Sequence, residues 1–189
     1  MKPSDRPSEE EPELPHASFL TRLVATGLFV GYIPWASGTF GSLLGCVVAF
    51  FPAFENPLVS LPLILIVLLA GVITSAKVAA VEGHRLTKIA AATKAIFQPQ
   101  THGEPDPSIV VIDEVVGMWI SLFLLPLHLP TVIAAFVLFR LFDVVKPPPA
   151  RHVENVPHGW GIMLDDVVAG IYANIGTRIF LLVLSALHP

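Results

Sequence analysis

With a single cysteine, Cys46, the 189-residue chain has no internal disulfide and no cysteine-based zinc cluster. Cys46 lies in the apolar run LLGCVVAFF and reads as a small core side chain. Charge is scarce too: Asp, Glu, Lys and Arg make up 14% of residues, against about a quarter in an ordinary soluble domain. A net charge of -4 leaves no basic footprint for DNA or RNA, so no nucleic acid partner is expected. The seven histidines, His16, His84, His102, His128, His152, His158 and His188, show no metal-ligand spacing such as H-E-x-x-H. Strand signals are also missing, because polar and apolar residues never alternate for long, and the one β-branched run, IVVI at 109–112, leads straight into a helical pattern.

What remains is apolar, with 53% hydrophobic residues and a mean hydropathy of +0.71. The expected fold class is all-α, a multihelical bundle of about six helices, embedded in or associated with a membrane. Residues 1–16 are acidic and proline-rich and read as a disordered tail ahead of one domain, 17–189. From Leu23 to Phe54 the pattern predicts two helices around the loop GYIPWASGTFGS, with the second helix over 42–54. Residues 58–76 are uncharged for about the length that crosses a hydrocarbon core. The Lys- and Arg-bearing segment after them is expected on the cytoplasmic side, first helical and then broken by Pro99, Pro105 and Pro107. Pro126 and Pro130 divide the next apolar stretch into a helical hairpin, and a loop over 146–161 precedes a last helix from about Asp165 to Leu187.

In this apolar body the acids come as Asp113-Glu114, Asp143 and Asp165-Asp166. Five carboxylates among Val, Ile, Leu, Phe and Met need cations, because an unpaired ion there costs several kcal/mol. The cations in the neighbouring sequence are few: Arg140, Lys146, Arg151 and Arg178. A divalent metal would balance the rest, and an oxygen-only ligand set suits Mg²⁺. The simpler account is that each pair starts a helix and meets its dipole, worth about 0.3 to 1 kcal/mol per acid. Two look-alike segments, IDEVVG and LDDVVAG, favour one shared site with metal ligands Asp113, Glu114, Asp143, Asp165 and Asp166.

Arg140, Asp143 and Lys146 follow one another at i+3 steps before Pro147, either as a plain salt bridge or with Asp143 on the metal and the two cations facing phosphate. In PWASGTFGS, backbone N–H groups and the hydroxyls of Ser37, Thr39 and Ser42 form a candidate anion site without a Walker lysine; the alternative is tight helix packing.

Four blocks, GYIPWASGTFGS, IVVIDEVVGMWI, FRLFDVVKPPPAR and GWGIMLDDVVAG, stand in the order in which they occur in the phosphatidylglycerophosphatase A family, which the chain resembles over residues 23 to 175. The resemblance implies a membrane-associated, Mg²⁺-dependent phosphatase that converts phosphatidylglycerophosphate to phosphatidylglycerol, with a multihelical bundle around a central helix. It implies catalytic roles for Asp113, Glu114, Asp143 and Asp166, and substrate phosphate binding by Thr39, Ser42, Arg140 and Lys146. It also implies the bacterial inner membrane with the active site facing the cytoplasm, a lipid substrate and the membrane as partners, and leaves a homo-oligomer open. The chain departs from the family pattern at Ser37 and Pro148, in VPHGWG, and in a longer insertion before the second block.

No D-x-D-x-T stretch marks a phosphorylated aspartate, so direct attack by water and a phosphoaspartyl intermediate both stay open. Cysteine chemistry is excluded, since Pro52 rather than Arg stands six residues after Cys46. The alternative function is an ion-coupled membrane transporter using intramembrane carboxylates; the small number of helices and acids at helix ends speak against it. A CDP-alcohol phosphotransferase would need a spaced D-G…A-R…G…D…D array that the chain lacks.

Overall fold

The long apolar stretches among the described residues fold into helices. A computed structural model describes residues 17–33, 35–94, 109–153, 156 and 159–187, and among these there are seven α-helices, two short 3-10 turns and no strand. The expected tail over 1–16 and the insertion around 95–108 lie outside the described residues.

Helix α1 (Phe19–Ala25) starts at Ser18, whose hydroxyl accepts the Thr21 N–H at 3.2 Å. Helix α2 (Ser37–Ala49) begins five residues earlier than the expected 42–54, so Ser37 and Thr39 of PWASGTFGS also lie inside it. Its cap, Ala36, is left-handed at φ 51° and makes no side-chain capping bond. Helix α3 (Pro57–Lys94) runs unbroken for 38 residues through the apolar stretch and the charged one after it. The stretch Val110–Val111 forms no strand; Val111 N–H donates to Ala25 O at 3.0 Å and the chain turns into α4 (Ile112–Leu122). Helix α5 (Leu129–Val145) completes the expected hairpin, with Pro130 in its first turn, where a missing N–H costs nothing. The segment expected as loop contains a short helix, α6 (Ala150–Val153). Helix α7 (Gly159–Leu187) starts six residues before Asp165, correcting the expectation that this acid pair opens the helix.

Helix α4 is the central one. Eight of its 11 residues are buried, and it packs against α2, α3, α5 and α7. Trp119 Nε1–H donates to Gly45 O of α2 at 3.0 Å. At the far end, Asn174 Nδ2 of α7 donates to Ile120, Ser121 and Phe123 carbonyls, satisfying the last turn of α4. Arg178 joins it there, donating to Phe123 and Leu124 carbonyls. That removes Arg178 from the cations expected beside the acids.

Helices α4 and α7 cross at glycines. A methyl on Gly170 would lie 2.5 Å from Gly117 O, and one on Gly117 would lie 2.8 Å from Asp166 O. Only bare backbone allows this approach. The outer faces stay apolar: Pro57–Val78 and Gly159–Leu187 are long and apolar enough to cross a membrane, and within an apolar 18-residue stretch of each only 22% is buried.

Candidate active site

The glycine crossing decides where the acids go. IDEVVG carries Asp113 and Glu114 in the first turn of α4, and LDDVVAG carries Asp165 and Asp166 on α7, each pair a few residues before its glycine. When Gly117 meets Gly170, the two pairs arrive at one place. Carboxylate oxygens of Asp113, Glu114 and Asp166 lie within 4.8 Å of one another. Asp166 is 3% exposed, so this cluster sits at the base of a cavity rather than on a solvated face.

The end of α5 supplies the counter-charges. Arg140 Nη1 pairs with Asp143 at 2.8 Å, and Lys146 Nζ pairs with Asp165 at 2.7 Å. Lys146 is the C-cap of α5, left-handed at φ 47°, and Pro147 ends the helix behind it. Lys146 therefore reaches across to α7, whereas the i+3 spacing alone had put it on the Arg140–Asp143 face. The fourth wall is the start of α2, where Ser37 and Gly38 line the cavity. A methyl on Gly38 would strike Glu114 Oε1 and lie 3.1 Å from Arg140 Nη1, so this glycine lets the helix start close onto the charged groups.

Of the charged residues singled out in the sequence, Asp113, Glu114, Arg140, Asp143, Lys146, Asp165 and Asp166 line this one cavity of about 700 Å³. Thr39 and Ser42 do not line it. Ser42 is fully buried, donating to Gly38 O at 2.8 Å, with Arg140 Nη1 at 3.5 Å from its oxygen. It braces the arginine from behind. Sequence reading passed over Gly38, Tyr32 and Ile33 as lining residues; the glycine's place in the first block was the available signal, and the two side chains had none. Arg151 is exposed and donates to Val145 O, apart from the cavity. His128 and His152, the histidines with described side chains, are exposed and do not line it either.

Burial pushes the Glu114 carboxyl up to about 8, helped by the charges of Asp166 and Asp143 and opposed by a hydrogen bond with Asp113. Its Oε2 is buried and has no hydrogen-bond partner among the described residues. A buried carboxylate oxygen without a donor, beside two further carboxylates, fits a hard divalent cation. The charge balance agrees: two cations against five carboxylates would repel a phosphate dianion unless divalent metal joined them. Cys46 is 7% exposed in the core, and burial pushes its thiol up to about 11, which keeps it protonated.

An oxygen-rich acidic cluster beside Arg and Lys in one cavity of a helical bundle is the arrangement of a phosphoryl-handling enzyme. The profile of the family "Phosphatidylglycerophosphatase A" matches residues 23–181. The chain belongs to this family and is a phosphatase.

Among its relatives, a Bacteroides thetaiotaomicron protein provisionally named phosphatidylinositol-3-phosphatase is 37% identical over 166 residues, 84% of this chain and 91% of that protein. Phosphatidylglycerophosphatase A of Haemophilus influenzae is 48% identical over 75 residues, 39% of this chain and 46% of the relative. The Escherichia coli enzyme of the same name is 48% identical over 71 residues, 36% and 41% of the two chains. No solved structure matches. The ion-coupled transporter alternative draws no support from these relatives.

Proposed function

We propose that this phosphatase hydrolyses the terminal phosphomonoester of phosphatidylglycerophosphate, giving phosphatidylglycerol and inorganic phosphate, with Mg²⁺ as its metal. The observation that carries this reading is the convergence of Asp113, Glu114 and Asp166 within 4.8 Å beside Arg140 and Lys146. Those three carboxylates are the group that would hold the metal, which supplies charge neutralisation at the phosphoryl oxygens and a more acidic water. Asp143 and Asp165 hold Arg140 and Lys146 in place, a role that differs from the direct ligation the sequence pattern predicts for them.

Arg140 grips two phosphoryl oxygens through its fork, and Lys146 adds a point charge. Ser37 and Gly38 at the start of α2 line the same cavity, and a helix start favours an anion there. In the reaction the phosphorus–oxygen bond to the lipid alcohol breaks, a water oxygen ends on phosphate, and the departing alkoxide takes up a proton. Water attacking directly and a phosphoaspartyl intermediate differ in one readout: in ¹⁸O-water, acid quenching during turnover traps phosphorylated protein only in the second.

The apolar flanks of α3 and α7 support a bacterial inner-membrane location with the cavity at the cytoplasmic boundary, where the lysines and arginine after residue 76 would lie. A second substrate is favoured by one observation: the relative provisionally named for phosphatidylinositol 3-phosphate is matched over far more of its length than the two phosphatidylglycerophosphatases are. The test is phosphate release from detergent-dispersed phosphatidylglycerophosphate and, in parallel, phosphatidylinositol 3-phosphate, with Mg²⁺ or with chelator. Release from the first, lost on chelation, is expected. No release from it, or wild-type release by Asp113→Asn and Asp166→Asn, overturns the reading.

A further inference from the structure

A second cavity, of about 720 Å³, lies between α5 and α7 and is lined by apolar residues alone, among them Leu129, Ile133, Val137, Leu138, Gly176 and Phe180. Its floor exists because residue 176 is glycine: a methyl there would lie 3.1 Å from Leu138 Cδ1. The groove shares no lining residue with the carboxylate cavity, and between them Phe142 and Tyr172 pack across the seam with ring centroids 5.7 Å apart, so the path from one to the other runs over the outer face of α5. On α5, Ile133, Val137, Leu141 and Val144 follow at spacings of four, four and three, which keeps them on one face. All four are more than half exposed, and Val144 also lines the carboxylate cavity. On α7, Gly176 stands eleven residues after Asp165, three turns along the same face. The exposed face of α5 thus leads from the groove to the charged cavity over about 16 Å.

We propose that the α5/α7 seam is the acyl-chain subsite of this enzyme, holding one fatty-acyl tail of the phosphatidyl substrate while its phosphomonoester enters the carboxylate cavity. This rests on the lipid-phosphatase reading above. The exposed apolar face of α5, which runs from the groove to Val144 at the carboxylate cavity, singles out the substrate's own tail over a second copy of the chain. Inside a bilayer the tail is already in an apolar medium, so the seam acts by packing and orientation, which sets the phosphate's position at the carboxylates.

The test compares kcat/KM for dioleoyl phosphatidylglycerophosphate with that for its deacylated, water-soluble headgroup. Gly176→Leu is expected to lower the ratio of the two about tenfold, and Leu69→Trp, on an exposed face of α3, serves as the control that keeps it. An unchanged ratio in Gly176→Leu overturns the proposal, as does loss of a dimer in step with both activities. Should Gly176→Leu fail to fold, Val137→Trp on the exposed lip of the groove reads the same ratio. Independently of turnover, a phospholipid with a photoreactive acyl end should label α5 and α7 peptides well above α3, and even labelling overturns the proposal. A wild type that hydrolyses neither substrate but labels at the seam refutes the lipid-phosphatase reading and leaves tail binding standing.

Discussion

IDEVVG and LDDVVAG look like copies of one another, and their local bonding is the same: Asp113 accepts the Glu114 N–H and Asp165 accepts the Asp166 N–H, both at 3.0 Å. Their settings differ. Asp113 and Glu114 occupy the first turn of α4, where unpaired N–H groups and the helix dipole favour negative charge by about 0.3 to 1 kcal/mol each. Asp165 and Asp166 are the seventh and eighth residues of α7, past the reach of that field. Helix-start electrostatics therefore accounts for one pair and not for the other. A buried Asp166 in a helix interior needs something else, and the proposed shared cation site would provide it.

Neutralising Asp166 should have the largest effect. Asp166→Asn is expected to lower kcat/KM for phosphate release by about 10³-fold, with a loss of divalent-cation affinity measured on the same preparation. Asp113→Asn should match it in activity, since both carboxylates belong to the same cluster. A drop for Asp113→Asn alone would mean that the α7 pair is structural and the resemblance of the two segments is coincidental.

Next comes the crossing itself. Gly170→Val puts a branched side chain against Gly117 O and should cost about 1 to 3 kcal/mol by overpacking, read as a fall in melting temperature. It should also lower turnover about 10²-fold, because it separates the two acid pairs by a fraction of an ångström to one ångström. A variant that loses stability and keeps full turnover would show that the carboxylates need not converge.

How far this site was visible beforehand follows from what each residue depends on. The acids announced themselves, because charge in an apolar run is costly wherever the chain folds, and the all-α class followed from the missing alternation. The crossing glycines were visible as part of the two motifs, but their partners were not, since Gly117 and Gly170 are 53 residues apart and only packing joins them. The start of α7 was misplaced because GWGIML carries two glycines and no capping residue, so local propensity favoured loop, and burial against α3 overrides it: a methyl on Gly159 would strike Val72 O. Ser42 was singled out for its hydroxyl, yet that hydroxyl is spent on Gly38 O within its own helix. Arg178 was grouped with the acids by charge alone and instead closes the far end of α4.

The two ion pairs extend the comparison at smaller scale. Lys146 belongs to the α7 pair through Asp165, and Arg140 pairs with Asp143 on its own helix and donates to Ser42 of α2. Asp165→Asn should lower kcat/KM about 10- to 100-fold by releasing Lys146, less than Asp166→Asn does. Restoring the contact with Asp165→Glu should recover part of the loss, whereas an effect equal to that of Asp166→Asn would make Asp165 a metal ligand.

The smallest effect concerns stability in the absence of metal. Folded Glu114 titrates near 8 and an unfolded glutamate near 4.5, so the folded chain retains a proton that the unfolded chain releases between those values. Its contribution to stability is fully present below about 4.5 and is lost as pH rises toward 8. Glu114→Gln removes that loss. In chelator at pH 8 it should melt higher than the wild type, by on the order of 3 °C for each kcal/mol relieved, with the difference vanishing at pH 5. Adding Mg²⁺ should reverse the order, since the metal stabilises only a protein that can hold it, and the wild type keeps all three carboxylates. A Gln variant that melts lower under every condition would show that the Glu114 carboxylate is satisfied within the folded chain and that its burial serves packing rather than a cation.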